Sequence, residues 1–150
     1  MRTILAEPDV ARWWAPRGPD EAADGLFDEG EVVYAIVVEG DVVGAIEYSE
    51  ENEPDYRHAG IDIFVDTAHQ GRGLGRDAIR VMARYLLEER GHHRLTIDPA
   101  AANDRAIRAY RRLGFQPVGI MRRYERGPNG MWHDGLLMDL LSDELAQPQE

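Results

Sequence analysis

The sequence predicts an α/β fold of the α+β kind, one mixed sheet flanked by helices. Three observations carry that prediction. Apolar residues fall into short strand-like runs and two longer stretches of helical period. The order of those segments is helices, β-hairpin, β, α, β, α, β, β. The chain's 150 residues, 43% of them hydrophobic, suit a single domain over residues 1–150 with a core of ordinary size.

Each element has its own signal. Pro8, Pro16 and Pro19 punctuate the start and leave room for a short helix over residues 9–14. Residues 20–27 read as another, with Asp20 as N-cap and Glu21 and Asp24 in its first turns. Residues 32–38 form a β-branched and aromatic run, Gly40-Asp41 a turn, and residues 42–48 a returning strand. A third strand, 61–65, follows the polar stretch 50–58. Leu74, Ala78, Val81, Met82, Tyr85 and Leu86 recur at helical spacing opposite Arg76, Arg80, Arg84 and Glu88, and Gly91 ends that helix. Residues 95–97 are a short strand closed by Asp98-Pro99. Asn103 caps a second helix carrying Ala106, Ile107, Tyr110 and Leu113, which Gly114 ends. Residues 115–121 and 132–141 read as two final strands around Gly127-Pro128-Asn129-Gly130.

Composition excludes much chemistry. There is no cysteine, hence no disulfide, thiolate metal site or cysteine nucleophile. All 17 basic residues are arginine, which removes a P-loop lysine and Schiff-base catalysis. Ser49 and Ser142 are the only serines, and neither sits in a nucleophile elbow. His92-His93 reads as an exposed turn, and His58, His69 and His133 lack ligand spacing, so no metal is expected. No membrane span or signal peptide is recognisable, and the expected location is cytoplasmic.

The net charge of −11 is segregated. Residues 1–66 hold 17 acids against 4 arginines, and residues 67–127 hold 13 arginines against 6 acids. The overall negative field argues against nucleic acid and membrane partners. A basic middle suits a phosphorylated cofactor and acidic flanks suit a cation, although solvated helix faces would look the same.

The sharpest local feature is Gln70-Gly71-Arg72-Gly73-Leu74-Gly75-Arg76, between a strand and an amphipathic helix. Glycines admit close approach to a ligand, and a helix start offers unpaired N–H groups to an anion. The run from Gly73 to Ala78 also satisfies the dinucleotide fingerprint G-x-G-x-x-A, with Asp98 placed for a ribose contact. Seven residues between Val65 and Gly73, and a chain too short for the usual parallel sheet and substrate domain, argue against that reading. The second motif decides. Asn103, Ala106, Tyr110, Gly114 and Phe115 follow the loop at N-x-x-A-x-x-x-Y-x-x-x-G-F spacing. Together with Gln70, Gly73 and Gly75, they make the chain resemble the GCN5-related N-acetyltransferase (GNAT) superfamily over residues 32–141.

That resemblance implies a mostly antiparallel sheet whose two central parallel strands splay apart to hold acetyl-CoA. It implies that Gln70, Gly71, Arg72, Gly73, Leu74, Gly75 and Arg76 hold the pyrophosphate. Ile63, Phe64 and Val65 would pair with the pantetheine arm, and Asn103 would hydrogen-bond it. Tyr110 would protonate the departing thiolate, though its spacing with Ala106 and Leu113 also fits a core aromatic.

Several features resemble the aminoglycoside 6′-N-acetyltransferases: Trp13-Trp14, Gly60-Ile61-Asp62, and the stretch from Asp98-Pro99 through Asn103 to Tyr110. The acid excess before residue 67 suits such a polycationic acceptor. Asp62 and Asp98 are the expected catalytic carboxylates, one on each parallel strand. Trp14, Glu47, Asp62, Asp98 and Asp134 are the expected acceptor contacts. Two alternatives stay open: a protein N-terminal or polyamine acetyltransferase, and a non-catalytic acyl-CoA-binding module. Monomer and homodimer are not distinguished.

Overall fold

A computed structural model describes residues 1–14, 19–26 and 30–148. Pro16 and position 27, the end of the expected helix over residues 20–27, lie outside the described residues. Three short helices open the chain: α1 (Arg2–Leu5), α2 (Pro8–Trp14) and α3 (Pro19–Gly25). The first was not anticipated, since four residues are too few to show a period.

β1 (Glu31–Val38) and β2 (Asp41–Glu51) form the expected hairpin. Glu39 and Gly40 turn it, both at positive φ (50° and 86°), which matches the twist of the flanking strands. β3 (His58–Val65) pairs antiparallel with β2, and these strands take up both ends of the polar stretch 50–58, leaving residues 52–57 as the connection. β4 (Arg94–Ile97) then runs parallel to β3, and β5 (Gln116–Arg126) and β6 (Trp132–Leu141) close the chain. The sheet order is β1-β2-β3-β4-β6-β5. It is mixed and mostly antiparallel, with one parallel contact at its centre.

That contact is brief. Ala59 pairs with Leu95 and Gly60 with Thr96, after which β3 continues to Val65 without β4 beside it. The strands part there, as a splayed pair requires.

Alternation along the strands builds two cores. Ile46, Tyr48, Ile61, Leu95, Ile97 and Met138 face α4 (Leu74–Arg84) and α5 (Asp104–Leu113), which contribute Ile79, Met82 and Leu113. On the opposite face Ala45 and Phe64 pack against Ile4, Leu5, Val10 and Leu26. Asp62, two residues from Phe64, shares that second face. Among the described residues no helix is long and apolar enough to cross a membrane.

Two expectations need correction. The helix starting at Leu74 does not run regularly to Gly91: it ends at Arg84 and widens into a π-helical turn, Tyr85–Glu89. His92, expected on an exposed turn, is 2% exposed. Its Nε2 lies 2.5 Å from Glu50 Oε2, and Arg90 holds the other oxygen of that carboxylate at 2.7 Å. The wide turn thereby brings the chain to the C-terminal end of β2, and the Glu50 pairing makes burial of the imidazole tolerable.

Candidate active site

Where β3 and β4 part, a cleft of about 1300 Å³ opens between α2 and the N-terminal ends of α4 and α5. Its basic side begins at the glycine-rich loop. Asp66 caps a 3₁₀ turn, Thr67–His69, by accepting from His69 N at 2.9 Å, and this turn fills the spacing between β3 and the glycines. Gln70 then ties the loop down. Its Nε2 donates to Val65 O at 2.9 Å, and Arg105 Nη1 donates to its Oε1 at 3.3 Å.

Gly71 and Gly73 hold φ of 78° and 79°, a region open to glycine and costly for other residues. Gly73 is the N-cap of α4 and offers no side chain to its amides. The first intrahelical bond is Asp77 N to Gly73 O, so the N–H groups of Leu74, Gly75 and Arg76 have no helical acceptor. Arg72 and Arg76 line the cleft beside them. These groups fit a pyrophosphate: uncapped amides, a dipole end and guanidinium charge at one place.

Ile63, Phe64 and Val65 border the cleft on the stretch of β3 that lacks a β4 neighbour. Asn103 Oδ1 accepts from Ala106 N at 3.3 Å and so caps α5, leaving its amide NH₂ for a ligand. Tyr110 also lines the cleft, with its ring 6.3 Å from Phe115. Burial raises its pKa, and the carboxylates of Asp62 and Asp98 raise it further. Its hydroxyl is therefore firmly protonated.

The acidic side lies across the split. Asp62 is opposite Glu47 in the β2–β3 register, and both border the cleft with Asp98. Water reaches Asp62 from the cleft, but protein crowds it on its remaining sides. That crowding is the main reason its pKa is raised well above the carboxylate range, followed by repulsion from Asp98 and Glu47, against an opposing bond from Ile63 N. Asp98 is raised by burial, and a 2.6 Å bond from the Tyr124 hydroxyl opposes that. A shallower groove of about 410 Å³ continues from Glu47, Asp62 and Asp98 past Ser49 to Glu51 and His58.

Trp14 is near Asp62 as expected, but with a specific contact. Its Nε1–H donates to Asp62 Oδ1 at 3.1 Å, and its ring packs edge-on against Phe64 at 4.8 Å. Asp134 is not among the residues lining the cleft. Its carboxylate accepts from Arg123 N at 2.8 Å, stabilising a backbone with φ of 47°. Tyr124 and Glu125, which the sequence reading missed, line the cleft instead.

The acetyltransferase (GNAT) family model matches residues 2–115. The chain belongs to this family. As a GNAT acetyltransferase it uses acetyl-CoA, for which the loop and the α4 amides supply the fit described above. It is 31% identical over 145 residues to a streptothricin acetyltransferase of Streptomyces lavendulae, covering 93% of this chain and 75% of that one. It is 28% identical over 141 residues to an aminoglycoside N(6′)-acetyltransferase type 1 of Klebsiella pneumoniae, covering 78% and 68%. The fold matches a spermidine N-acetyltransferase from Vibrio cholerae, solved in complex with CoA and spermine. There the TM-score is 0.79 at 22% identity, over 95% of this chain and 88% of that one.

Proposed function

We propose that this GNAT acetyltransferase, as one domain, acetylates a primary amine of a polycationic small molecule, of the kind the 6′-amine of an aminoglycoside represents. The observation that carries the reading is the meeting of Asp62, Asp98 and Glu47 at the split between β3 and β4. One ammonium group needs fewer carboxylates. The groove leading on to Glu51 supplies room and charge for the rest of a larger cation.

Acetyl-CoA bound along β3 supplies the thioester that the amine attacks. Asp62, held by Trp14 Nε1–H and Ile63 N–H on one oxygen, orients the ammonium and accepts its proton. Its raised pKa makes it a stronger base than an ordinary aspartate. Asp98 holds the same ammonium from the neighbouring strand, steadied by Tyr124. Tyr110 keeps its proton until the sulfur departs and then donates it. No residue forms a covalent bond to the acyl group, in keeping with the absence of cysteine.

A linear polyamine presents the same charge chemistry, whereas a peptide N-terminus presents a single ammonium. The test is release of free CoA thiol with kanamycin- and gentamicin-type compounds, spermidine and peptides as acceptors. Turnover of the aminoglycosides well above the other acceptors is expected. Brisk peptide acetylation with no kanamycin turnover would discard the reading, and CoA binding without turnover of any acceptor would point to a non-catalytic module.

A further inference from the structure

Glu7 takes no part in the chemistry derived above, yet it touches the turn that leads to the cofactor loop. Its backbone carbonyl accepts from Val10 N at 3.0 Å and from Ala11 N at 2.7 Å, so it opens α2, with Pro8 in the first helical position. Its side chain reaches across 60 residues of sequence, where Oε2 accepts from Thr67 N at 2.7 Å. Thr67 begins the 3₁₀ turn that carries β3 into Gln70 and the glycines. At the far end of α2, Trp14 donates to Asp62. We propose that Glu7 is a positioning residue. Through α2 it ties the turn before the cofactor loop to Asp62, so that bound CoA steadies the carboxylate that receives the acceptor's proton. The proposal rests on the role given to Asp62 under the proposed function.

α2 is fastened along one continuous segment of chain, residues 62–67. Trp14 holds Asp62 at one end, the Trp14 ring packs on Phe64 in the middle, and Glu7 holds Thr67 at the other end. Val10 is buried in the same apolar cluster as Phe64. Ile63, Phe64 and Val65, which border the cleft, lie between the two polar fastenings. Seven residues are too few for a helix to persist alone in water. The order of α2 therefore depends on these contacts, and releasing one end loosens the other.

The bond at Thr67 answers a local need. The first N–H groups of a helical turn have no partner within it. Asp66 covers His69 N from inside the turn, and Glu7 covers Thr67 N from outside. A carboxylate accepting from an amide is stronger than a neutral acceptor, and this one lies at the surface, where its loss leaves the core intact. A ligand held by the loop restrains the turn from one side. The turn restrains α2 from the other, and α2 ends on Asp62.

Amide hydrogen exchange over residues 11–14 of the full chain, with and without CoA, tests the proposal. In the wild type, CoA is expected to slow exchange there by roughly 3- to 10-fold, the scale of one hydrogen bond to a charged group at a surface. Glu7→Gln, whose amide oxygen still accepts, is expected to retain most of that slowing, and Glu7→Ala to lose it. Thr67→Pro removes the donor instead: proline suits the first position of the turn, and Asp66 before it is already extended (φ −60°, ψ 156°). It is expected to match Glu7→Ala, with the double variant no worse than either. Absence of slowing in CoA-bound wild type overturns the coupling. So does slowing that survives in Glu7→Ala or in Thr67→Pro, since CoA would then reach α2 by another route. Kanamycin turnover at saturating acetyl-CoA tests the step to Asp62: kcat is expected to fall roughly 3- to 10-fold in Glu7→Ala and to recover in Glu7→Gln. Equal kcat in wild type and Glu7→Ala overturns that step. No kanamycin turnover by the wild type overturns the acceptor reading, and the exchange result still decides the coupling.

Discussion

Asp62 Oδ1 accepts from the indole of Trp14 and the amide of Ile63, while the carboxylates of Asp98 and Glu47 oppose its ionisation. The folded chain therefore holds its proton more tightly than the unfolded chain does. A carboxyl group raised in this way contributes stability below its unfolded pKa and loses it as pH rises through the folded value. Asp62→Asn keeps the oxygen that accepts both hydrogen bonds and removes the charge. The variant is expected to melt above wild type at alkaline pH, with the gap closing towards the ordinary carboxylate range, while kcat/KM falls about 100- to 10,000-fold. Parallel melting curves at every pH would show that Asp62 is not desolvated. The two tyrosines separate in the same way. Tyr110→Phe is expected to cut kcat roughly 10- to 1,000-fold with cofactor affinity kept. Tyr124→Phe removes the bond that lowers the pKa of Asp98, so it should move the acidic limb of the pH–rate profile upward and spare the plateau. Identical effects of both substitutions on kcat would refute that division. Gln70, Asn103 and Tyr110 were legible because their spacing follows one loop and one helix. Tyr124 was not: a register shift between Met121 and Glu125 hides the alternation that would have aimed it at the cleft.

At the scale of elements, α4 shows which parts of a motif serve folding and which serve a ligand. Gly73 is needed for its left-handed backbone, so any side chain there strains the turn before cofactor enters. Gly75 lacks a positive φ, and a Cβ there would meet only Val65 Cγ2 at 3.7 Å and Ile63 Cδ1 at 3.9 Å, ordinary contacts. Gly75→Val is therefore expected to fold with wild-type circular dichroism while weakening CoA about tenfold or more in calorimetry, because its branches enter the gap between α4 and β3. Unchanged affinity in the folded variant would move the cofactor off this helix. The start of α4 was readable because glycine and helix period signal it locally. Its end was not. The π-helical turn depends on Leu86 seating in the core and on His92 meeting Glu50, 42 residues away in sequence. Short strands such as β4 were legible in position, but their extents depend on partners: β2 and β3 lengthen into polar sequence because each completes the other's hydrogen bonds.

Over the whole molecule, the charge segregation counted along the chain becomes a segregation in space. Arginines from the basic stretch 67–127 line one side of the cleft, and carboxylates line the other where β3 and β4 part. The fold produces this because β3 leads into the loop and α4 at its far end, while Asp62 and Glu47 stand opposite each other on the face that α4 does not cover. On the proposed reading, a polyanionic cofactor and a polycationic acceptor approach poles of opposite sign, and each field discourages the wrong ligand from the wrong side. Both attractions pass through solvent and are screened over about 10 Å at 0.1 M salt. Salt alone would therefore weaken both substrates, so the two effects must be separated. With acetyl-CoA held saturating, KM for a polycationic acceptor is expected to rise several-fold between low and moderate salt while kcat stays nearly constant, since screening acts on encounter and binding before chemistry. The rise should be smaller for an acceptor with one ammonium group and smaller in Glu47→Gln, which removes one charge from the acidic pole. A salt response equal for singly and multiply charged acceptors would mean that the acidic pole does not select by charge, and the polycation reading would fail while the acetyltransferase assignment stood.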